Sequence, residues 1–282
     1  MHNFKPFYIN LNDKLEEISK PWVMGILNVT PDSFFSGSRC DNEDAISRRV
    51  KEICDQGADL IDIGGYSSRP NAIDISPEEE MDRLKLGLDI IRREVPNAIV
   101  SVDTFRASVA RQCIEEYGVN IINDISGGTL DNDMWDTVAE LNTPYILMHM
   151  RGNPSTMNSL TDYSCVTADV IKDLGEKVSK LAAKGVNDII IDPGFGFSKT
   201  VEQNYSMLNN LDEFVQLNLP ILAGISRKSM IYKLLGNTPE TSLNGTTVLN
   251  TISLIKGANI LRVHDVKEAV ETVKLYMATT NS

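Results

Sequence analysis

Polar and charged residues recur just past short β-branched runs along this chain, and their types suit the handling of a small anionic molecule. The runs are WVMGIL (22–27), DLIDI (59–63), AIVSV (98–102), VNIIN (119–123), PYILM (144–148), DIIID (188–192), PILAGI (220–225) and NILRV (259–263). They lead in turn to Asn28, to Gly64 and Gly65 followed by Ser67 to Arg69, to Asp103, to Asn123 and Asp124, to His149, to Asp192, to Ser226, Arg227 and Lys228, and to Arg262, His264 and Asp265. Arg262 and His264 stand two apart, so in extended chain they project to one face while Val263 projects to the other. Two cationic or protonatable groups side by side suit an anion. The competing account pairs Arg262 with a carboxylate and leaves His264 as a satisfied core histidine. Asp103 before Thr104 could likewise cap a helix, Asp265 opening VKEAVETVKLYM reads as a cap, and Asp124 in NDISGG reads as a turn former. Singly, such residues are more often structural than catalytic; eight sets at eight strand ends favour a site.

The histidine and cysteine inventory bounds the metal chemistry. His2, His149 and His264 form no HExxH, and Cys40, Cys54, Cys113 and Cys165 form no CxxC, which argues against a protein-caged zinc. Magnesium held by one amide or carboxylate oxygen plus substrate phosphate oxygens remains open, because that ion keeps its waters and needs few protein ligands. With 27 Lys+Arg against 39 Asp+Glu the net charge is -12, which argues against a general nucleic-acid or anionic-membrane surface. An anionic substrate then requires a local cluster of cations. The 42% hydrophobic and 23% charged residues exclude disordered, collagen-like and coiled-coil classes. Neither an apolar leader in MHNFKPFYINLNDK nor a run of about 18 apolar residues occurs, so the expected location is a reducing cytoplasm.

Eight strand ends act together only if the intervening elements bring them to one place. EDAISRRVKEICDQG, SPEEEMDRLKLGLDIIRREVP and TADVIKDLGEKVSKLAAKG carry helical periodicity. Ser76 is placed to cap before Pro77 with Glu79 completing a capping box, and Gly57 and Gly185 are placed to end their helices. Strand and helix alternating eight times predicts a closed (β/α)8 barrel, whose strand ends all face one mouth. An open doubly wound sheet is the rival. No GxGxxG follows the first strand and no GxxxxGK[ST] occurs, and GFGF at 194–197 completes neither pattern. Without a low-complexity linker, the expectation is an α/β fold: a single TIM barrel over residues 21–282 with a short N-terminal extension over 1–20.

The stretches MGILNVTPDSF (24–34), IDIGGYSSRP (61–70), SVDT (101–104), IINDISG (121–127), LMHMRGNPSTM (147–157), DPGFGFSK (192–199), AGISRKSMI (223–231) and ILRVHDV (260–266) closely resemble dihydropteroate synthase, in the right order and over nearly the whole chain. The resemblance implies a barrel enzyme of folate synthesis that joins 6-hydroxymethyl-7,8-dihydropterin diphosphate to 4-aminobenzoate, giving 7,8-dihydropteroate and diphosphate. It implies a pterin pocket of Asp103, Asn123, Met148, Asp192, Lys228 and Arg262. A carboxylate, here Asp192, can accept from the adjacent ring N-H and amino donors of a pterin. The implied diphosphate subsite is Asn28, Ser68, Arg69, Arg262 and His264, with Asn28 as the magnesium contact. The implied aminobenzoate subsite is Phe34, Ser68, Pro70, Phe197, Ser226 and Lys228. Asn28, Arg69, Lys228, Arg262 and His264 are the residues it puts in the catalytic step, a dissociative loss of diphosphate followed by attack of the arylamine. The only cofactor implied is Mg2+, and the implied assembly is a homodimer built from outer helices.

Certain positions depart from the pattern. Where many members read GGESTRPGA this chain reads GGYSSRPNA, so Tyr66, Ser68 and Asn71 replace a glutamate, a threonine and a glycine; Ser36 stands where many members have a loop aspartate. Two rival functions remain on sequence grounds. A pterin-dependent methyltransferase would have no need of the SRKS and RVHD anion cluster, and a noncatalytic pterin-binding relative would have no need to retain Asn28, Arg69, Lys228, Arg262 and His264. The long segments 28–41 and 64–76 are expected to close around aminobenzoate once magnesium diphosphate engages Asn28 and Arg69, carrying Phe34 and Pro70 into place.

Overall fold

The computed structural model describes residues 4–12, 14–30, 39–67 and 74–280. Two strands, β1 (Phe7–Leu11) and β2 (Lys14–Ile18), form an antiparallel hairpin. Eight parallel strands follow: β3 (Trp22–Asn28), β4 (Leu60–Gly64), β5 (Ile99–Asp103), β6 (Ile121–Asp124), β7 (Tyr145–Met148), β8 (Ile189–Asp192), β9 (Leu222–Ala223) and β10 (Ile260–Val263). Hydrogen bonding runs β8-β7-β6-β5-β4-β3-β10-β9, and a parallel bridge between Ile191 and Ile221 brings β9 back to β8. The sheet therefore nearly closes on itself, as the alternation of strand and helix predicts. The helices are α1 (Arg39–Asp55), α2 (Pro77–Glu94), α3 (Ala107–Tyr117), α4 (Met134–Leu141), α5 (Val166–Ala183), α6 (Val201–Asn209), α7 (Ser229–Leu235), α8 (Leu243–Ile255) and α9 (Val266–Thr280). One strand-to-strand connection, from β9 to β10, carries two helices, α7 and α8.

Strand alternation sorts the residues into three environments. Outward positions such as Val23, Ile61, Val102, Ile122, Leu147, Ile191 and Leu261 pack beneath the helices. Inward positions near the strand starts, Met24, Leu60, Ile121, Ile146, Ile190, Leu222 and Ile260, fill the barrel with aliphatic side chains. Inward positions two residues further on are mostly polar, and they lie at the mouth. The hairpin seals the opposite end, because Ile9, Leu11 and Ile18 join the lower aliphatic layer. Residues expected only as an extension thus share the interior of the barrel. The sequence signal for the hairpin was weak: its turn runs through Asn12, whose φ of 51° is left-handed, without the Asn-Gly or Asp-Gly pair that marks tight hairpins.

The helix punctuation holds with one change. Ser76 accepts from the Glu79 amide behind Pro77, but the Glu79 carboxylate pairs with Arg83 at 2.6 Å and leaves the capping box half made. Gly57 and Gly185 follow α1 and α5 with φ of 91° and 89°. If the hairpin seals the barrel, Ile9→Ala should cost about 2–4 kcal/mol of unfolding free energy, whereas Leu15→Ala, on a side chain 67% exposed, should change it by less than about 0.5 kcal/mol. Urea unfolding of the two variants measures both; equal effects would mean that the hairpin merely lies against the surface.

Candidate active site

The inward residues of the upper layer are Asn28 on β3, Asp62 on β4, Asp103 on β5, Asn123 on β6, Met148 on β7, Asp192 on β8 and Arg262 on β10. At their centre Arg262 donates through Nε to Asp62 at 2.6 Å and through Nη2 to Asp103 at 2.6 Å. Burial disfavours the guanidinium charge, but Asp62 and Asp103 more than offset this and hold Arg262 protonated. Asp103 is raised by burial, Arg262 pulling against the rise and Asp62 adding to it. Asn123 donates from Nδ2 to the Asp62 oxygens at 3.3 and 3.2 Å. Since a carboxylate can only accept, that contact fixes the amide orientation and leaves the Asn123 carbonyl oxygen for other donors. Asp103 therefore does not cap a helix, and the carboxylate pairing weighed for Arg262 in the sequence is present, inside the site itself.

Asp192 and Lys228 form a second pair of opposite charges. Asp192 is buried, and its Oδ1 accepts from the Gly194 amide at 2.7 Å. A Cβ placed on Gly224 would stand 3.8 Å from Asp192 Oδ2 and 3.7 Å from Lys228 Nζ, so both groups face the strip of backbone that this glycine keeps clear. Burial raises the Asp192 carboxyl while Lys228 opposes the rise. Burial lowers Lys228 to about 8, with Asp192 opposing. The Lys228 ammonium donates to the Phe195 carbonyl and sits 4.6 Å from the centre of the Phe197 ring. Met148 packs with Ile125, Met150 and Met157, with Phe105 and Phe197 against them, which gives the pocket an apolar wall beside its hydrogen-bonding groups.

His264 meets Ser226 twice: its backbone N-H donates to Ser226 Oγ at 3.1 Å, and its Nδ1 lies 3.1 Å from the same oxygen. With the hydroxyl accepting from the amide and donating to Nδ1, the imidazole proton resides on Nε2. Burial and the neighbouring Arg262 charge push His264 down to about 4, so it is a neutral donor at neutral pH. The local cation cluster expected from the sequence is smaller by one charge until an anion arrives.

Asn28 stands at the end of β3 beside Gly64, where a Cβ would lie 3.6 Å from Asn28 Oδ1 and 3.5 Å from the Asp103 Cβ. The glycine leaves space next to an amide oxygen. No group of three His, Cys, Asp or Glu side chains able to cage a metal occurs among the described residues. One open amide oxygen without a cage fits magnesium, which takes most of its ligands from water and phosphate. Phe34, Ser68, Arg69 and Pro70, with Ser36 and Asn71, lie outside the described residues, as do most residues of the two segments expected to close. Tyr66 is described: its ring meets Phe105 edge-on at 5.1 Å, and the Arg106 guanidinium lies 5.3 Å from the Tyr66 ring centre and 4.9 Å from that of Phe105. The aromatic ring at this position is thus held by an aromatic neighbour and a cation.

Other polar strand ends are structural. Asp124 accepts from the Ser126 amide, the Ser126 hydroxyl, the Gly128 amide and the Tyr145 hydroxyl, each within 2.7 Å. Asp265 holds Arg227, whose Nη1 also donates to the Pro239 and Glu240 carbonyls. Sequence reasoning missed Asp62. It sits two residues before Gly64 in a buried strand, where its carboxylate on the inward face was the available signal.

A family model described as pterin binding enzyme matches residues 24–264. This chain belongs to the pterin-binding enzymes. It is 42% identical over 259 residues to the dihydropteroate synthase of Clostridium beijerinckii, covering 91% of this chain and 93% of that protein. It is 39% identical over 284 residues to a folate synthesis bifunctional protein of Arabidopsis thaliana, covering 95% of this chain but 58% of that longer protein. Among solved structures, a Yersinia pestis dihydropteroate synthase in a sulfonamide drug complex superposes with a TM-score of 0.90 at 36% identity, covering 98% of this chain and 100% of that one. A Xanthomonas albilineans dihydropteroate synthase with 4-aminobenzoic acid gives 0.89 at 34%, covering 99% and 100%. A Clostridium difficile dihydropteroate synthase with pteroic acid gives 0.86 at 34%, covering 93% and 97%. The family is thus settled by sequence and fold together.

Removing one partner of the buried network is the sharpest probe of this pterin-binding enzyme's interior. Asp62→Asn should destabilise the protein by about 3 kcal/mol, since it leaves Arg262 short of a counter-charge in a dry interior. Urea unfolding with unchanged stability would mean that Asp62 and Arg262 are independent.

Proposed function

We propose that the chain condenses 6-hydroxymethyl-7,8-dihydropterin diphosphate with 4-aminobenzoate to give 7,8-dihydropteroate and diphosphate. The observation that carries this reading is the pairing of Asp192 and Lys228 across Gly224, next to the Met148 wall and to Asn123. Asp192 keeps Oδ1 on Gly194 and has Oδ2 for the adjacent N-H donors of a pterin edge. Lys228 supplies a donor, and the Asn123 carbonyl an acceptor, to the rest of the heterocycle. The complexes of relatives with pteroic acid and 4-aminobenzoic acid support the same substrate classes.

In the reaction, Arg262 and the Nε2 proton of His264 receive the negative charge that grows on diphosphate as the C-O bond breaks, joined by Arg69. A magnesium ion held through Asn28 would add positive charge at the same leaving group. The dihydropterin spreads the positive charge of its methylene by conjugation, so the neutral arylamine attacks without a strong base. Phe197 offers the flat wall for its ring, and Ser226 with Lys228 stands near for its carboxylate. The long segments bearing Phe34, Ser68 and Pro70 would close over this pair and keep water from the pterin cation.

Two broader readings accompany the reaction. Exposed Leu234 and Leu235 on α7 and Leu275 on α9 give outer helices apolar surface for a homodimer, which sedimentation at twice the chain mass would support and a monomer would oppose. A cytoplasmic setting agrees with the free thiols of Cys54, Cys113 and Cys165. Among the described residues no helix is long and apolar enough to cross a membrane.

Diphosphate release that requires both substrates is the direct assay. Asp192→Asn should lower kcat/KM by about 100-fold or more, because an amide turns a donor toward pterin donors. His264→Ala should weaken the diphosphate substrate more than the bare pterin alcohol. Release independent of aminobenzoate, or normal pterin affinity in a folded Asp192→Asn protein, would overturn the reading.

A further inference from the structure

The segment that joins β8 to α6 is held by two lysines. Its backbone alternates into left-handed geometry at Gly194, Gly196 and Ser198, with φ of 71°, 81° and 51°. Such a path turns carbonyl groups away from regular hydrogen bonding, and each must find a donor. Lys228 supplies the Phe195 carbonyl. Lys199, buried, supplies two more: its Nζ donates to the Gly194 and Phe197 carbonyls, each at 3.0 Å, and lies 3.0 Å from His149 Nδ1. Three acceptors match the three N-H groups of one ammonium. The same segment is stitched to the end of β7, where Ser198 Oγ accepts from the Arg151 amide and donates to the Arg151 carbonyl, each at 2.9 Å. A Cβ on Gly194 would strike the His149 carbonyl oxygen at 2.0 Å, so the approach is as close as backbone permits.

We propose that Lys199 is a positioning residue for the arylamine substrate: by clamping the Gly194 and Phe197 carbonyls it sets the Phe197 ring where the aminobenzoate ring must pack. The inference rests on the reading under Proposed function. It adds a residue that touches neither substrate and acts through Phe197. Among the described residues no carboxylate is hydrogen-bonded to Lys199. His149 and Arg151 face it from the end of β7, Asp173 from α5, Asp192 from β8 and Lys228 from the start of α7, while Lys177 of α5 faces His149. Burial lowers Lys199 to about 7, Asp192 opposing and Lys228 and Arg151 adding to the fall. Burial lowers His149 to about 2, so the imidazole stays neutral and its Nδ1 can accept. Below about pH 7 the ammonium satisfies all three acceptors. Above it the amine keeps two N-H groups for the two carbonyls and a lone pair that accepts from the Nδ1-H tautomer of His149, so the clamp persists on weaker, uncharged hydrogen bonds and loosens as pH rises.

Steady-state kinetics of the wild type, Lys199→Met and Lys199→Gln, each checked for cooperative thermal unfolding, test this. Lys199→Met should raise the KM for aminobenzoate about tenfold, the loss of one charge-assisted contact, with the KM for pterin diphosphate within about twofold. From about pH 6 to 8.5 the KM for aminobenzoate should rise more steeply in the wild type than in Lys199→Met, where only groups common to both proteins, Lys228 among them, still titrate. Lys199→Gln keeps neutral donors, so its KM should fall between the two at low pH and then follow the shallower profile of Lys199→Met; it carries the test should the Met protein not fold. Lys228 and Asp103 are present in all three proteins, so their titration cancels in the comparison. Equal KM changes for both substrates, a pH dependence as steep in both variants as in the wild type, or failure of both to fold would overturn the inference. A wild type without turnover would instead overturn the reaction itself.

Discussion

The mouth of this barrel is organised by one contact, the Arg262 guanidinium held between the carboxylates of Asp62 and Asp103. The lower half of the barrel solves its packing with aliphatic side chains, as any interior can. The upper half cannot, because it must present charge to a substrate, and unpaired charge in a dry interior costs several kcal/mol per ion. Arg262 resolves the conflict. It joins β10 to β4 and β5 across the barrel, and through Asp62 it orients Asn123 on β6.

With those charges compensated, the second pair becomes available for recognition. Asp192 and Lys228 face each other across a glycine and lower each other's cost of ionisation, each opposing the shift that burial imposes on the other. His264 stays uncharged at neutral pH, so the site avoids a second buried cation beside Arg262. Under the proposed reaction Arg262 is the shared element, paired with Asp62 and Asp103 on one side and available to a diphosphate on the other.

The architecture was legible because alternation survives in a short strand. All eight expected barrel strands appear with ends within two residues of their places, although β9 shrinks to Leu222–Ala223. Pro220 has no amide to pair, though its carbonyl accepts from Ile191 and keeps the ring nearly closed. The polar residues at the strand ends were visible for the same reason, since their position in the period-two pattern says which way they point. Asp62 was not, because its meaning depends on Arg262, 200 positions away in the chain. Lys199 was equally silent: a lysine before a helix cap reads as solvent-facing until the loop folds back over it. Spacing reveals which face a residue occupies, but partners across a barrel are set by closure.

On this reading the charges around Arg262 are paired within the protein before any ligand arrives, and an incoming diphosphate is the group that calls for added positive charge. Calorimetric titration of the bare pterin alcohol and of the pterin diphosphate with magnesium, over salt concentrations from about 0.05 to 0.5 M, measures this directly. The account predicts that affinity for the alcohol stays within about twofold while that for the diphosphate falls steeply with added salt. Equal salt dependence of the two ligands would contradict it, showing that the charges around Arg262 are not paired in solution as they are in the fold.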